Sequence, residues 1–148
     1  MEVRLSMEIY TGLRFKGIVK KQFREEFKTF ASTRKWENAI DKRLKDFAKV
    51  SGASLIFSNI LIYMPEYWQD FEGNATNKFN RTYDDKTGYW AFQCSLVNDD
   101  KIYGNLFDLI PYFIESIKHC EVHEEGAVYS QIYELINGRM QITNRFFK

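Results

Sequence analysis

The chain opens with an unusually long alternation of hydrophobic and polar residues, from Val3 to Val19. Hydrophobic residues such as Leu13 and Phe15 occupy one parity, and charged residues such as Arg14 and Lys16 occupy the other. A period of two residues places these two sets on opposite faces of a strand. The pattern therefore predicts a long, half-buried strand with one face toward the core.

Two helical stripes follow, because the hydrophobic spacing changes from two residues to three or four. The first stripe consists of Phe23, Phe27 and Phe30. The second consists of Trp36, Ile40, Leu44 and Phe47. Ser32 or Thr33 is suited to cap the second helix at its start, and Gly52 is suited to end it. We predict two amphipathic helices that carry most of their basic residues on the outer faces.

The centre of the chain gives weaker signals. Residues 54–63 are predicted to be extended, either as one buried strand or as a tight hairpin, and Pro65 can open a short helical turn. Residues 72–88 are polar and rich in asparagine, so we interpret them as a long loop or mobile hairpin. Turn-forming residues at its end join a weak strand at 79–83 to a strong one at 89–97.

The last third of the chain predicts one helix and three strands. The helix covers residues 105–118, with Asn105 as its N-cap. Pro111 lies inside it, so either the helix kinks there or its regular part starts beside the proline. The strands are predicted at 119–125, 128–136 and 139–143. Asn137 and Gly138 favour a type I′ turn between the last two.

This order of elements predicts an α+β fold for residues 1–148, as a single domain with a mostly antiparallel sheet and about three helices packed on it. The segments Val3–Ala31 and Tyr89–Lys118 each place a strand before an aromatic-striped helix. They suggest a ferredoxin-like, duplicated β-α-β arrangement with an inserted hairpin or loop. We expect the common core to contain Phe23, Phe27, Trp36, Ile40, Trp90, Phe92, Ile110 and Phe113.

Charge is distributed unevenly, although the formal net charge is only +1. Residues 1–50 contain 13 Lys/Arg and 7 Asp/Glu, whereas residues 51–148 contain 8 and 13. Such asymmetry can steer an oppositely charged partner to one face. The isoelectric point near 7.7 argues against a dedicated duplex-DNA binder, which carries a stronger positive excess.

The compartment is inferred from the N-terminus and the cysteines. The first residues lack the apolar region of a secretory signal, and no apolar run approaches the ~20 residues of a membrane-spanning helix. We therefore expect a cytoplasmic protein without membrane contact, in which Cys94 and Cys120 are reduced. No glycine-rich phosphate loop occurs, and we predict no cofactor.

His119 and His123, with neighbouring acidic residues, are the candidate metal ligands. Positions four apart on a strand are separated by ~13 Å, which is too far for both imidazoles to bind one ion. Cys94 alternates with large hydrophobic residues, so burial should leave its thiol unreactive. We predict no metal site and no catalytic residue from these patterns.

The remaining candidates form a basic, partly aromatic surface. Its predicted members are Tyr10, Arg14, Lys16, Lys20, Lys21, Arg24, Arg34 and Lys35. Exposed cations on two helices are held in fixed relative positions, so this surface is expected to contact an acidic protein. We predict a non-enzymatic protein that acts by binding another macromolecule, as an inhibitor or immunity protein does.

Two alternatives stay open at this point. Interleaved aromatic and basic residues on a sheet face are also typical of RNA or single-stranded nucleic-acid binding, here by the basic N-terminal third. An enzyme with a site assembled from dispersed residues is the second alternative. In size, aromatic content and segregated charge the chain resembles small phage-encoded inhibitors of host defence and bacterial toxin-immunity proteins. That resemblance implies binding of a protein partner and no particular site residues.

Overall fold

The computed structural model describes residues 9–50, 52–58, 63–72, 74–97 and 100–147. Within these ranges six strands form one antiparallel sheet in the order β2-β3-β1-β4-β5-β6. The strands are β1 Tyr10–Val19, β2 Thr82–Tyr83, β3 Tyr89–Val97, β4 Ile114–Glu124, β5 Tyr129–Ile136 and β6 Arg139–Phe147. The α-helices are α1 Arg24–Thr33, α2 Lys42–Asp46, α3 Leu55–Ser58 and α4 Asp100–Phe113. Short 3₁₀ turns cover Lys21–Phe23, Trp36–Asn38, Phe47–Lys49, Glu66–Trp68 and Thr76–Lys78.

The predicted α+β class is confirmed, and β1 lies at the centre of the sheet. β3 and β4 both run antiparallel to β1, on its two sides, so they run parallel to each other. Helix α4 connects them, which makes β3-α4-β4 a β-α-β unit split by β1. The first predicted segment, Val3–Ala31, does not form such a unit. After β1 and α1, the next strand that pairs with β1 is β3, and it runs antiparallel to β1. The ferredoxin-like duplication is not confirmed.

The core lies between one face of this sheet and the helices. Leu13 and Phe15 of β1 point into it, as the alternation predicts, and a cluster of aromatic rings fills the space above them. Seven of the eight predicted core residues are buried in this cluster, namely Phe23, Phe27, Trp36, Trp90, Phe92, Ile110 and Phe113. The prediction for Ile40 is wrong, because its side chain is 84% exposed.

Ile40 is exposed because the predicted second helix is interrupted. Arg34 adopts a left-handed conformation with φ 64°, which ends α1, and the backbone at Ala39 is extended. The helix restarts only after Asp41, whose carboxylate accepts hydrogen bonds from the backbone N–H groups of Arg43 and Leu44. Asp41 is therefore the N-cap, and the predicted caps Ser32 and Thr33 are wrong: their hydroxyls donate to carbonyls within α1.

Three other element boundaries differ from the predictions. Residues 55–58 are helical rather than extended, while the adjacent predicted positions 59–62 lie outside the described residues. Helix α4 starts five residues earlier than Asn105 and continues two residues beyond Pro111. It ends at Phe113, because Ile114 already belongs to the long strand β4.

The turn-based predictions are confirmed. The weak strand before the 84–88 turn is β2, and the strong strand after it is β3. Asn137 and Gly138 both have positive φ angles, 51° and 75°, as a type I′ turn requires. The segment 72–88, predicted as a loop or hairpin, contains a 3₁₀ turn and β2 in its described part. Within the described ranges no helix has the length and apolar character needed to cross a membrane.

Candidate functional site

The face of the sheet opposite the core is covered by a second layer. This layer, here called the strap, consists of residues 63–72 and 74–79. Trp68 of the strap is fully buried and lies directly over Gly12 of β1. A Cβ atom at position 12 would lie 2.7 Å from Cζ3 of the Trp68 ring, so the close approach requires glycine.

We expect Gly12→Ala to destabilise the fold by about 1–3 kcal/mol, because the added methyl group overpacks the contact with Trp68. Chemical denaturation followed by tryptophan fluorescence measures the loss. Gly104→Ala is the matched control, since a Cβ there meets no atom within 4 Å and α4 favours alanine. Equal stability of the Gly12→Ala variant and the unaltered protein would show that the strap does not pack as described.

Beneath the strap lies a buried ion pair that joins the two central strands. The register places Arg14 of β1 opposite Glu121 of β4, with Arg14 Nε 3.3 Å from Glu121 Oε1. Their side chains are only 4% and 1% exposed. The guanidinium carbon of Arg14 lies 4.7 Å from the ring centroid of Trp68 and 4.3 Å from that of Phe79. Two aromatic rings therefore shield the pair from water.

Glu121 is the centre of the hydrogen-bond network under the strap. The Tyr67 hydroxyl donates to Oε2 of Glu121 at 2.6 Å, and the indole N–H of Trp68 donates to the same oxygen at 3.3 Å. Nε2 of His119 lies 2.9 Å from Oε1. Burial alone raises the pKa of Glu121, but hydrogen bonds from His119 and Tyr67 and the charge of Arg14 outweigh it, so the pKa falls to about 2.

Glu121 and the two buried cysteines are poorly suited to act as general bases or nucleophiles near neutral pH. A carboxylate with a pKa near 2 is too weakly basic to abstract a proton efficiently at pH 7. Burial raises the pKa of the Cys94 and Cys120 thiols far above neutrality, which leaves little thiolate. The hydrogen bonds of Glu121 with Tyr67 and Trp68 hold the strap on the sheet.

The two candidate metal ligands, His119 and His123, lie on β4 and have different partners. His119 contacts Glu121, while Nδ1 of His123 lies 2.9 Å from the Tyr63 hydroxyl. Within the described part of the chain, no three His, Cys, Asp or Glu side chains are grouped so that they could hold a metal ion.

The eight residues predicted to bind a partner do not form one surface. Arg14 is buried in the ion pair and is therefore not available to a partner. Lys16 lies under the strap edge, where its ammonium group donates to the carbonyl of Asn77 and lies 4.1 Å from the Phe79 ring centroid. Tyr10 lies at the opposite end of β1 from the basic helix, ~30 Å away along the strand.

The other five predicted residues lie at the two ends of α1. Lys20 and Arg24, at its start, donate to the carbonyls of Pro111 and Val19, at 3.0 and 2.9 Å. Lys21 beside them is exposed. Arg34 and Lys35, at the other end, are also exposed. About 15 Å of helix separates the two groups.

A cleft of about 340 Å³ lies between α1 and β2. Its floor is formed by the buried rings of Phe57 and Trp90. Its rim carries Lys28, Ser32, Arg81 and Asp85. Lys28 and Arg81 were not singled out by the sequence analysis, because one is isolated on its helix and the other lies in a polar loop. Only the spacing of Arg24 and Lys28, four residues apart, indicates that both lie on one side of α1.

Arg81 is held at the cleft by the main chain. Its Nη1 donates to the carbonyl of Phe57 at 2.9 Å. Burial and then the nearby charge of Arg34 lower the pKa of Arg81. Neither arginine forms an ion pair with a carboxylate among the described residues. The cleft therefore carries an uncompensated positive charge.

The chain matches no family model, no curated protein and no solved structure, so its function is inferred from the arrangement of its own residues.

Proposed function

We propose that the protein is a non-enzymatic binding protein whose partner is another protein with an acidic surface. The contact is made by cations along and beside α1, namely Lys21, Lys28, Arg34, Lys35 and Arg81, which extend over ~15 Å of helix and are here called the α1 basic surface. The observation that carries this proposal is that these cations are mostly unpaired. Of the five, only Lys28 has an ion-pair partner among the described residues. Unpaired cations at the two ends of an anchored helix attract an acidic partner and steer its approach.

Rigidity of this surface follows from the way α1 is anchored. Phe27 and Phe30 of α1 are fully buried in the core. Glu26 also accepts hydrogen bonds from the backbone N–H groups of Ile40 and Asp41, at 2.8 and 2.7 Å, and so ties α1 to the chain before α2. The backbone positions of Lys21, Lys28 and Arg34 along and at the ends of this helix are therefore fixed relative to one another, which favours selective pairing with a complementary acidic surface.

The sheet face that could act as a platform for RNA is covered. Arg14 is buried beneath the strap, so Tyr10, Arg14 and Lys16 cannot present a continuous stacking surface to single-stranded bases. This geometry favours a protein partner over a nucleic-acid partner. The binding experiment below distinguishes the two. An inhibitor or immunity-type role is one form of such protein binding.

Reversing Lys21, Lys28 and Arg34 to Glu is expected to weaken partner binding about fivefold or more, because the acidic partner then meets like charges. Each exposed substitution should change stability by less than ~0.5 kcal/mol. Binding is measured as salt-dependent capture of a stoichiometric partner from nuclease-treated lysate, followed by titration of the purified pair. Association should slow as salt rises, since the screening length is only ~10 Å at 0.1 M.

The matched control reverses Lys45, Lys118 and Arg139, three exposed cations outside the α1 basic surface. It changes the net charge by the same amount. If both triple variants weaken binding equally, net charge alone matters and the assigned surface is wrong. If capture disappears after nuclease treatment, the partner is a nucleic acid and the proposal fails.

A further inference from the structure

We propose that the tip of the strap is a second interaction surface, which binds an arginine-bearing segment of a basic protein partner. Five residues line one open depression of about 670 Å³ there and are here called the strap-tip surface: Met64, Glu66, Gln69, Asp70 and Phe71. The strap covers the face of the sheet opposite the core, whereas α1 packs on the core side. The inference therefore does not rest on the proposed function, and both surfaces can be occupied at once.

The aromatic anchor of this surface is Phe71. Its ring is fully exposed and is the most exposed large hydrophobic side chain among the described residues. A single exposed apolar side chain is ordinary at a protein surface, but Phe71 shares its depression with the half-buried Met64. Phenylalanine and methionine are both enriched in protein–protein interfaces. Together they offer a partner an apolar contact area on the strap.

The loop that carries Phe71 is held in one conformation by its own hydrogen bonds. The backbone N–H of Asp70 donates to the carbonyl of Asn74 at 2.9 Å. Oδ1 of Asp70 accepts from the backbone N–H groups of Glu72 and Asn74, each at 2.9 Å. The loop also starts directly after Trp68, which is buried against β1. Because the backbone is already ordered, binding through this ring costs little further conformational entropy.

The charged residues that line the depression are acidic. Glu66 and Asp70 belong to it, and Glu72 follows Phe71 in the chain; all three acidic side chains are exposed. Within the described part of the chain, no lysine or arginine lines the depression, and none of these carboxylates takes part in an ion pair. Charge complementarity therefore selects a cationic partner.

An arginine side chain fits both features of the surface. Its guanidinium group can stack on the face of an aromatic ring, while its planar fork of N–H donors pairs with carboxylate oxygens. Its aliphatic stem can pack on the apolar side chains of the depression. The phosphates of a nucleic acid or of an anionic membrane would instead meet like charges at Glu66 and Asp70. The surface therefore favours a basic protein over either of these.

Titration of the ¹⁵N-labelled chain with the blocked peptide acetyl-Gly-Arg-Arg-Gly-amide tests the surface, at constant ionic strength set with NaCl. We expect saturable amide shifts at Gln69, Phe71 and Glu72. The matched peptide contains citrulline in place of arginine, which keeps the shape of the side chain and removes its charge. Its affinity should be about fivefold weaker or less. Equal affinity for the two peptides, or shifts that do not saturate with the arginine peptide, would overturn the proposal.

Phe71→Ala should weaken binding of the arginine peptide about fivefold, because the cation loses the ring on which it stacks. The double variant Glu66→Gln/Asp70→Asn should weaken it by a similar factor, since both charges are removed. The amide oxygen introduced by Asp70→Asn can still accept the hydrogen bonds of the loop. Ile40→Ala and Glu134→Gln are the controls, because each alters an exposed side chain outside the surface. Unchanged affinity in Phe71→Ala, or equal losses in the controls, would show that the surface is wrongly assigned.

Other occupants of the surface are distinguished by two further measurements. A dimer in sedimentation velocity that Phe71→Ala abolishes would assign the surface to a second copy of the chain. Retention on phosphatidylserine vesicles that Phe71→Ala abolishes would assign it to a membrane. Either result would overturn the basic partner. The peptide titration does not involve the cations of the α1 basic surface, so its outcome is independent of the charge-reversal experiment on Lys21, Lys28 and Arg34.

Discussion

Glu121→Ala is expected to destabilise the protein by about 3–5 kcal/mol, because it leaves the buried guanidinium group of Arg14 without its counter-charge. The same substitution removes the acceptor for the Tyr67 hydroxyl and for the indole N–H of Trp68. Buried donors without acceptors add to the loss. Urea denaturation followed by tryptophan fluorescence gives the change in the free energy of unfolding.

Glu124→Ala, three residues further along β4, is the matched control. Its carboxylate is exposed, so the change in stability should stay within ~0.5 kcal/mol. The double variant Arg14→Met/Glu121→Leu tests the cause, because replacing both charges by apolar groups should cost much less than removing Glu121 alone. A loss below about 1 kcal/mol for Glu121→Ala would contradict the assignment of a buried pair.

The pH dependence of stability provides a second readout of the same carboxylate. Its pKa is about 2 in the folded chain, against an ordinary value of 4.5. Because the pKa of Glu121 is lower in the folded chain than in the unfolded chain, its ionised form stabilises the fold fully above pH 4.5. This stabilisation is lost as the pH falls from 4.5 toward 2 and the carboxylate is protonated. In this window the stability of the unaltered chain should therefore fall more steeply than that of Glu121→Gln, which has no titrating group at this position.

Hydrophobic periodicity predicts the core face of β1 correctly but not the fate of its other face. The alternation shows that Arg14 and Lys16 lie opposite Leu13 and Phe15. It cannot show that a second layer covers them, because the strap is remote in sequence and the ion pair joins residues 107 positions apart. In the sequence Glu121 is one of several acidic residues near His119 and His123, and nothing there indicates that its carboxylate is buried and hydrogen-bonded to Tyr67 and Trp68.

The second helix illustrates a different limit. Its hydrophobic spacing is helical, yet a left-handed residue and a new N-cap divide it, and both effects are local backbone chemistry. Asp41 is a favourable N-cap, and the backbone N–H groups at positions 40 and 41 donate to Glu26 of α1 rather than to carbonyls of a continuous helix. That contact depends on the packed position of α1. The hydrophobic periodicity of the sequence therefore cannot predict this contact.

The cleft could not be predicted from the sequence for the same reason. Arg81 lies in a polar segment with no motif, and Lys28 is one of many lysines in the basic half of the chain. They meet only because β2 pairs with β3 beside α1. Composition alone shows that the N-terminal third is basic. Which of its cations lack an ion-pair partner can be determined only from the folded structure.

Phe27→Ala is expected to cost about 3–5 kcal/mol, because the ring is fully buried and its removal leaves a cavity in the aromatic cluster. The Phe27 ring centroid lies 4.6 Å from that of Phe30, 4.7 Å from Tyr83 and 4.8 Å from Trp90. Aromatic pairs at these distances add to the free energy gained by burial. The loss is measured by urea denaturation in parallel with Phe71→Ala, a fully exposed ring whose removal should change stability by less than ~0.5 kcal/mol.

The same substitution links the core to the cleft. Tyr83 and Trp90 line the cleft on one side and contact Phe27 on the other, so the rings are held in place by Phe27. Their displacement into the cavity should change the shape of the cleft wall even though the charged residues at its rim are unchanged. A stability loss similar to that of Phe71→Ala would show that α1 does not depend on Phe27 for its attachment, and the fixed spacing of the α1 basic surface would then lack its physical basis.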